Sequence, residues 1–338
     1  SEELKKENKA KYSFRTMTRK RFNYLCNSIG RNKALGQLSE RILHNVIVTQ
    51  YILNHCVRAS IGHYRISSSL FPLVTDESLE ISLEDLPDYS RIKEELRLAG
   101  LIAFSFKISI STHPDQFNVL ASSNLKAVER TIRELNFQSS ILDKLGLPQD
   151  HTAPINIHLN CPINTPKKLG IDPESLNNFA ISEVADRFYK NLMRCDQGLI
   201  KRLTLENEDR GNWNVDNIII FSEYIFNKYN LNIPICYDNL HDFCNPSEVL
   251  DIKWQAERCA YTWVKQGNVD LIEDSHFIAP VFHWSEGRND GGNNPRAHGD
   301  YFSFKNHPPI IAIDPNSEAK WECEVKAKDL AIRKLIND

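Results

Sequence analysis

Residues 154–159 read PINIHL, residues 202–210 read RLTLENEDR and residues 233–243 read IPICYDNLHDF. Each opens with a short apolar, β-leaning run and ends in a side chain able to bind a metal: His158, Glu206, and Asp238 with His241. The intervals between them are long enough for helices. Strands that each deliver a polar group at the C-terminal end, separated by helices, are how a (β/α)8 barrel builds an active site. The three segments therefore predict an α/β fold, a (β/α)8 TIM barrel.

The same pattern extends in both directions. RFNYLC (21–26), the start of HYRISSSLFPL (63–73), FKISIST (106–112), HFIAPVFHW (276–284) and KWECEV (320–325) read as further strands, making eight with the first three. Apolar residues at helical spacing predict helices over 38–58 with Ser39 as N-cap, 88–101 ending at Gly100, 122–147, 175–195, 215–230, 249–267 and 326–336. Residues 285–302 form a Gly/Asn-rich loop. Alternation of strand and helix at this spacing is the signature of βαβ units in a parallel sheet. No Pro/Ser-rich linker splits the 338 residues, so residues 21–338 are expected to form one barrel domain. Residues 1–20 carry Lys5, Lys6, Lys9, Lys11, Arg15, Arg19 and Lys20 and read as a basic arm, either solvated or lying on phosphates.

Composition narrows the setting. The net charge is −3, so any nucleic-acid contact has to come from a local patch. The eight cysteines are scattered, without CxxC, and several lie inside apolar runs. They read as reduced, mostly buried thiols of a cytosolic or nuclear protein. No apolar run reaches the roughly 18 residues of a membrane span. The polar start shows no signal segment, and a chain that opens at Ser1 rather than Met leaves room for a trimmed start.

Chemistry gathers at the predicted strand ends. Besides His158, Glu206, Asp238 and His241, these ends or the loops beside them carry Asp76, His113, His283, His298 and Glu324. A lone histidine at such a place is usually a hydrogen-bonded structural residue. Several imidazoles and carboxylates meeting at one end of a barrel would be very costly to bury without a cation. His with Asp/Glu and no Cys favours Mn, Zn or Fe over a thiolate site. Carboxylates that can bridge suit two or more ions, the equipment of phosphodiester hydrolysis. Asn207, Glu208 and Asp209 are placed to support the ligands and cap the next helix. Arg210, Arg288, Arg296 and Lys328 sit beside ligand-bearing loops and are candidate phosphate contacts.

The order YRISSSLFPL, HPDQFNVLAS, LNFQSSILDKLGL, INIHLN, LENEDR, YDNLHDF, HWSEG, RAHGDY and ECEVKAKDLA resembles the UV damage endonucleases, a (β/α)8 DNA-repair family related in fold to endonuclease IV and xylose isomerase-like barrels. The likeness runs from about Arg21 to Leu335, and HPDQF, LENEDR and EVKAKDLA are its specific parts. It implies an endonuclease that nicks damaged double-stranded DNA on the 5′ side of UV photoproducts, in some members also at abasic sites. It implies two or three divalent metal ions, Mn2+ foremost with Zn2+ or Fe2+ as alternatives, and a monomer of the cytoplasm and nucleoid, or of the nucleus in a eukaryote. The implied ligands fall on His113, His158, Glu206, Asp238, His241, His283, His298 and Glu324, with Glu206, His283 and Glu324 also catalytic. Gln116 and Phe117 fall on the pair that pushes into the duplex opposite the lesion, and Tyr24 on a tyrosine at its other side.

Some positions depart from the family pattern. Asp76 stands where an early histidine ligand is expected, and Val281 where a lysine often helps hold the metals. Asp115 replaces glycine, Phe117 replaces tyrosine, and Ser28 stands where an asparagine is expected near Tyr24. Two other readings fit the same residues: a sugar isomerase or epimerase of this barrel class, and a damaged-DNA-binding protein with weakened catalysis.

Overall fold

The structure, a computed structural model of the chain, describes residues 11–163, 173–264, 278–288, 294–303, 307–312 and 318–337. The first half of the basic arm, the first two residues of the predicted 276–284 strand and the centre of the Gly/Asn loop lie outside these. The residues cluster into two compact units, Ser1–Pro114 with Arg133–Ile155, and Asp115–Ile132 with Asn156–Asp338.

The first unit contains α1 (Arg19–Ile29), α2 (Arg31–Arg58), β1 (His63–Ile66), α3 (Tyr89–Ser105), β2 (Ser109–Thr112), the later turns of α4 (Leu125–Leu145) and the first residue of β3 (Ile155–Ile157). β1 and β2 run parallel, from His63 opposite Ser109 to Ile66 opposite Thr112, and Thr112 pairs with Ile155.

Three sequence expectations are corrected in this unit. RFNYLC is helical, inside α1. The Thr18 side chain caps the helix by accepting from the Arg21 N–H, and Phe22 and Leu25, three apart, are its buried residues. Ser39 is not an N-cap but lies inside α2, which begins at Arg31. Its buried hydroxyl donates to Asp88 Oδ2 at 2.8 Å and accepts from the Asp88 N–H at 3.0 Å. Gly100 does not end α3. A Cβ there would sit 1.7 Å from the Leu145 carbonyl oxygen, so the glycine permits close approach to the end of α4.

The second unit takes β3 onward through α5 (Pro173–Leu192), α6 (Gln197–Ile200), β4 (Leu203–Glu206), α7 (Val215–Tyr229), β5 (Ile235–Cys236), α8 (Asn239–Cys244), α9 (Ile252–Val264), β6 (Val281–Trp284), β7 (Lys320–Cys323) and α10 (Asp329–Asn337). Thr204 of β4 donates its hydroxyl to Asn156 of β3 at 3.1 Å. β4 pairs parallel with β5, and just beyond β5 the chain bridges in parallel to β6 through Asp238 and His283. β6 pairs parallel with β7 from Val281 opposite Lys320 to Trp284 opposite Cys323. The described residues hold seven strands, all parallel where paired, against eight expected.

The β6–β7 ribbon has two unlike faces, because successive side chains of a strand alternate. His283 lies opposite Glu322. On the other face the Trp321 ring packs against Phe282 and Trp284, with centroids 5.3 Å apart in each pair. Trp284 continues into an apolar cluster with Phe302, Val325 and Ala331. All eight cysteines are free thiols. Among the described residues no helix is long and apolar enough to cross a membrane.

Candidate metal centre

Glu206 closes β4, a strand buried along its whole length. Its Oε2 accepts from Asn156 Nδ2 at 2.6 Å, and the Thr204 hydroxyl fixes that amide from the other side. Its Oε1 lies 3.1 Å from both His241 Nδ1 and His283 Nδ1, while Oε2 is 3.8 Å from His158 Nε2. Strand ends β3, β4 and β6 and the start of α8 thus converge on one carboxylate.

Asp238 has two roles. Its Oδ1 caps α8 by accepting from the His241 N–H at 2.7 Å. Its Oδ2 is buried, has no hydrogen-bond partner, and lies 3.8 Å from His283 Nδ1. The Asn207 side chain clamps the Asp238 backbone, donating to its carbonyl at 3.0 Å and accepting from its N–H at 2.8 Å. The Asn207 carbonyl also lies 2.8 Å from His241 Nδ1, and the Glu324 carbonyl 2.7 Å from His298 Nδ1. His283 Nε2 lies 3.3 Å from Glu322 Oε2, and its Nδ1 faces Glu206, Asp238 and, at 3.6 Å, Glu324.

The charge states follow from this crowding. Burial works against a charged ring at His241, but Asp238 and Glu206 outweigh it and hold its pKa well above the imidazole range. His283 is raised in the same way, against burial, by Cys236, Glu206 and Glu324. Asp238 is pushed up by burial, with Glu206 and Glu324 adding to the effect and the two histidines opposing it. Burial also pushes Glu208 up to about 7, against the Asn160 N–H and His241.

These residues fit a divalent cation. Glu206, Asp238 and His241 offer one ligand atom each within 4.8 Å of one another, and so do Asp238, His283 and Glu324. The two triads share Asp238, whose buried Oδ2 accepts no hydrogen bond.

The other expected residues are placed as follows. His298 is 3.7 Å from Glu324 Oε2 at the edge of the cluster. Gln116 and Phe117 lie in an exposed turn closed by Asp115, whose carboxylate accepts from the Phe117 N–H at 3.1 Å. Arg296 sits 3.6 Å from Asp209, Arg210 is exposed, and Arg288 and Lys328 flank the cluster's loops in sequence. Asn214, not residues 207–209, caps α7. Val281 is 4% exposed and brings no ligand atom.

In the first unit, His113 follows β2, half-buried. Asp76 has partners at both oxygens. Oδ2 accepts from Arg19 Nε at 2.6 Å, and Oδ1 accepts from the Ser78 N–H and hydroxyl at 3.1 and 2.7 Å. Tyr24 is 59% exposed on α1, under the Arg21 guanidinium, with Ser28 one turn on and bonded to its carbonyl at 2.7 Å.

Asn156 and Glu322 also line the cluster. Both stand two residues before a predicted ligand on the same strand, His158 and Glu324, where the period-2 alternation of a strand could have found them.

Residues 2–338 match the family described as UV-endonuclease UvdE. The chain is 25% identical over 328 residues to the UV DNA damage endonuclease of Bacillus cereus (strain B4264), a match spanning 96% of this chain and 88% of that protein. It is 29% identical over 276 residues to the UV-damage endonuclease of Neurospora crassa, covering 78% of this chain and 35% of that longer protein. The crystal structure of SacUVDE superposes with a TM-score of 0.70 at 21% identity, covering 96% of this chain and 91% of that one. The fold is α/β, of the TIM-barrel class.

Proposed function

The chain belongs to the UV-endonuclease UvdE family, and from that premise we infer that it is a metal-dependent DNA-repair endonuclease, nicking duplex DNA on the 5′ side of UV photoproducts. The observation that carries this reading is the buried Glu206–Asp238–His283 cluster, in which Asp238 Oδ2 accepts no hydrogen bond. We take the two triads that share Asp238 as places for two cations.

The proposed ligands are His158, Glu206, Asp238, His241, His283, His298 and Glu324, to which the family resemblance adds His113 of the first unit. Mn2+ is the favoured ion, with Zn2+ and Fe2+ as alternatives, since the donors are imidazole and carboxylate. When bound, such ions supply Lewis-acid charge against the scissile phosphate and the leaving oxygen.

The chain's own side chains do the rest. Asn156 and Asn207 fix the ligands in place through the hydrogen bonds described above, and Glu322 stands 3.3 Å from His283 Nε2. Of the three proposed catalytic residues, Glu206 and His283 are each 1% exposed and Glu324 13%. Glu324 is therefore assigned to take the proton of the attacking water, and Glu206 and His283 to hold the charge balance behind it. Gln116 and Phe117 fill the gap left by the unstacked lesion, which costs least to open where damage already weakens the stack. Tyr24 and Ser28 are proposed to contact the lesion strand, and Arg210, Arg288, Arg296 and Lys328 its phosphates.

The test is nicking of UV-irradiated against unirradiated supercoiled plasmid, with manganese and with chelator. Selective nicking that needs the metal and is lost in Glu206→Ala and His158→Ala is the expected result. Damage-selective binding without nicking would overturn the catalytic reading.

A further inference from the structure

Asn160 connects two parts of the second unit that the sequence keeps far apart. It follows β3 and the ligand His158, with a backbone φ of 37° in the left-handed region that asparagine tolerates better than most residues. That conformation turns its two donors in different directions. The backbone N–H donates to Glu208 Oε1 at 2.5 Å. The side-chain Nδ2 donates to the carbonyl oxygen of Gln116 at 2.8 Å.

Each end of this bridge is itself anchored. Gln116 belongs to the turn closed by Asp115, and beside it Phe117 stands 75% exposed. Glu208 lies two residues beyond Glu206. Its backbone N–H donates to the Trp213 carbonyl at 2.8 Å, and its own carbonyl accepts from Asn245 Nδ2 at 3.0 Å. Asn245 in turn ends the short helix α8, donating its N–H to the His241 carbonyl at 2.8 Å. A chain of hydrogen bonds therefore runs from the exposed turn, through Asn160 and Glu208, to the segments that carry Glu206 and His241.

We propose that Asn160 is a positioning residue that couples seating of the Gln116–Phe117 turn in damaged duplex to alignment of the Glu206 and His241 segments. This rests on the endonuclease reading above. It gives the enzyme a means of cutting only when the turn is engaged, because displacing Gln116 pulls on the same residue that holds Glu208. Spatial intermediacy alone does not establish coupling; a demonstrated energetic dependence does.

The test is a double-mutant cycle on a duplex carrying one pyrimidine dimer, with single-turnover cleavage, manganese content, and fluorescence of a 2-aminopurine placed opposite the lesion as readouts. Asn160→Asp keeps the shape and the left-handed backbone but removes the donor to Gln116. Asn160→Gly also removes that donor, through a residue for which the left-handed backbone is unstrained, and serves if the aspartate variant misfolds. Each variant is expected to cleave about tenfold more slowly, the scale of a small misplacement, with manganese content unchanged and a weaker 2-aminopurine signal. In a Phe117→Ala background the same substitution should cost less than about twofold, because coupled sites are not additive. Additive losses, an unchanged rate, or a loss that tracks manganese content would overturn the proposal while leaving the endonuclease reading intact. Failure of the unmutated enzyme to cleave would overturn both.

Discussion

Glu206 Oε1 and His283 Nδ1 meet at 3.1 Å with each side chain 1% exposed. A buried carboxylate and a buried imidazole this close form a single charge unit, and removing one partner strands the other. Glu206→Gln should abolish cleavage and remove most bound manganese, read by elemental analysis of protein purified without chelator. Retention of a full manganese complement with Gln at 206 would remove this residue from the ligand set.

The metal-free protein should lose stability as pH rises. His241 and His283 have folded-state pKa values well above the ordinary one. A raised value means the charged rings contribute stability in full below the unfolded imidazole value of about 6.5, and that this is lost as pH climbs through the folded values. Asp238, also raised, acts in the same direction, since the protonated acid is what its burial favours. Metal binding needs these groups deprotonated. Thermal scans between about pH 6 and about pH 9 should show the metal-free Tm falling and the upward shift on adding manganese growing.

Glu322 touches no proposed substrate but faces His283 Nε2 at 3.3 Å. Glu322→Gln should weaken manganese binding by roughly 10–100-fold, the usual cost of losing a partner behind a histidine ligand. Titration followed by electron paramagnetic resonance reads this directly, and an unchanged affinity would make Glu322 a bystander.

Gly100→Ala should destabilise by about 1–3 kcal/mol, because the new methyl meets the Leu145 carbonyl and helices must part to admit it. The urea midpoint measures it. An unaltered midpoint would mean that α3 and α4 can separate freely there.

Phe117→Ala offers the opposite contrast. At 75% exposure the ring supports little packing, so stability should stay within about 0.5 kcal/mol. The preference for irradiated over intact plasmid should drop, as shown by nicking of the two in competition. Phe117→Tyr should keep that preference, since the wedge survives.

Much of the fold could be read from period and punctuation. Seven of eight predicted strands and the order of helices stand in the structure, because buried parallel strands and amphipathic helices leave unlike patterns. RFNYLC misled because six residues cannot separate a strand from one and a half helical turns. The deciding signals were Thr18 as a cap and the i, i+3 spacing of Phe22 and Leu25. Gly100 misled for another reason: its cause is Leu145, 45 residues away, and no local pattern carries a close approach of that kind. At the site, Glu206, Asp238, His283 and Glu324 were legible as polar strand-end groups and His241 as one in an adjoining loop, and the structure brings them together. Asp76 was not legible as an ion-pair partner, because Arg19 lies on an element read as a tail.

The β6–β7 ribbon has a consequence for tolerance to error. Its aromatic side, Phe282, Trp284 and Trp321, and its chemical side, His283 and Glu322, are printed on alternate residues of the same two strands. A slip of one residue would expose three large rings and bury charge against apolar side chains. The aromatic face thus acts as a spelling check on the other: a chain that packs its tryptophans has also set its histidine beside its glutamate. Insertions of a single residue within 281–284 or 320–323 should therefore be lost at folding rather than survive as inactive enzyme.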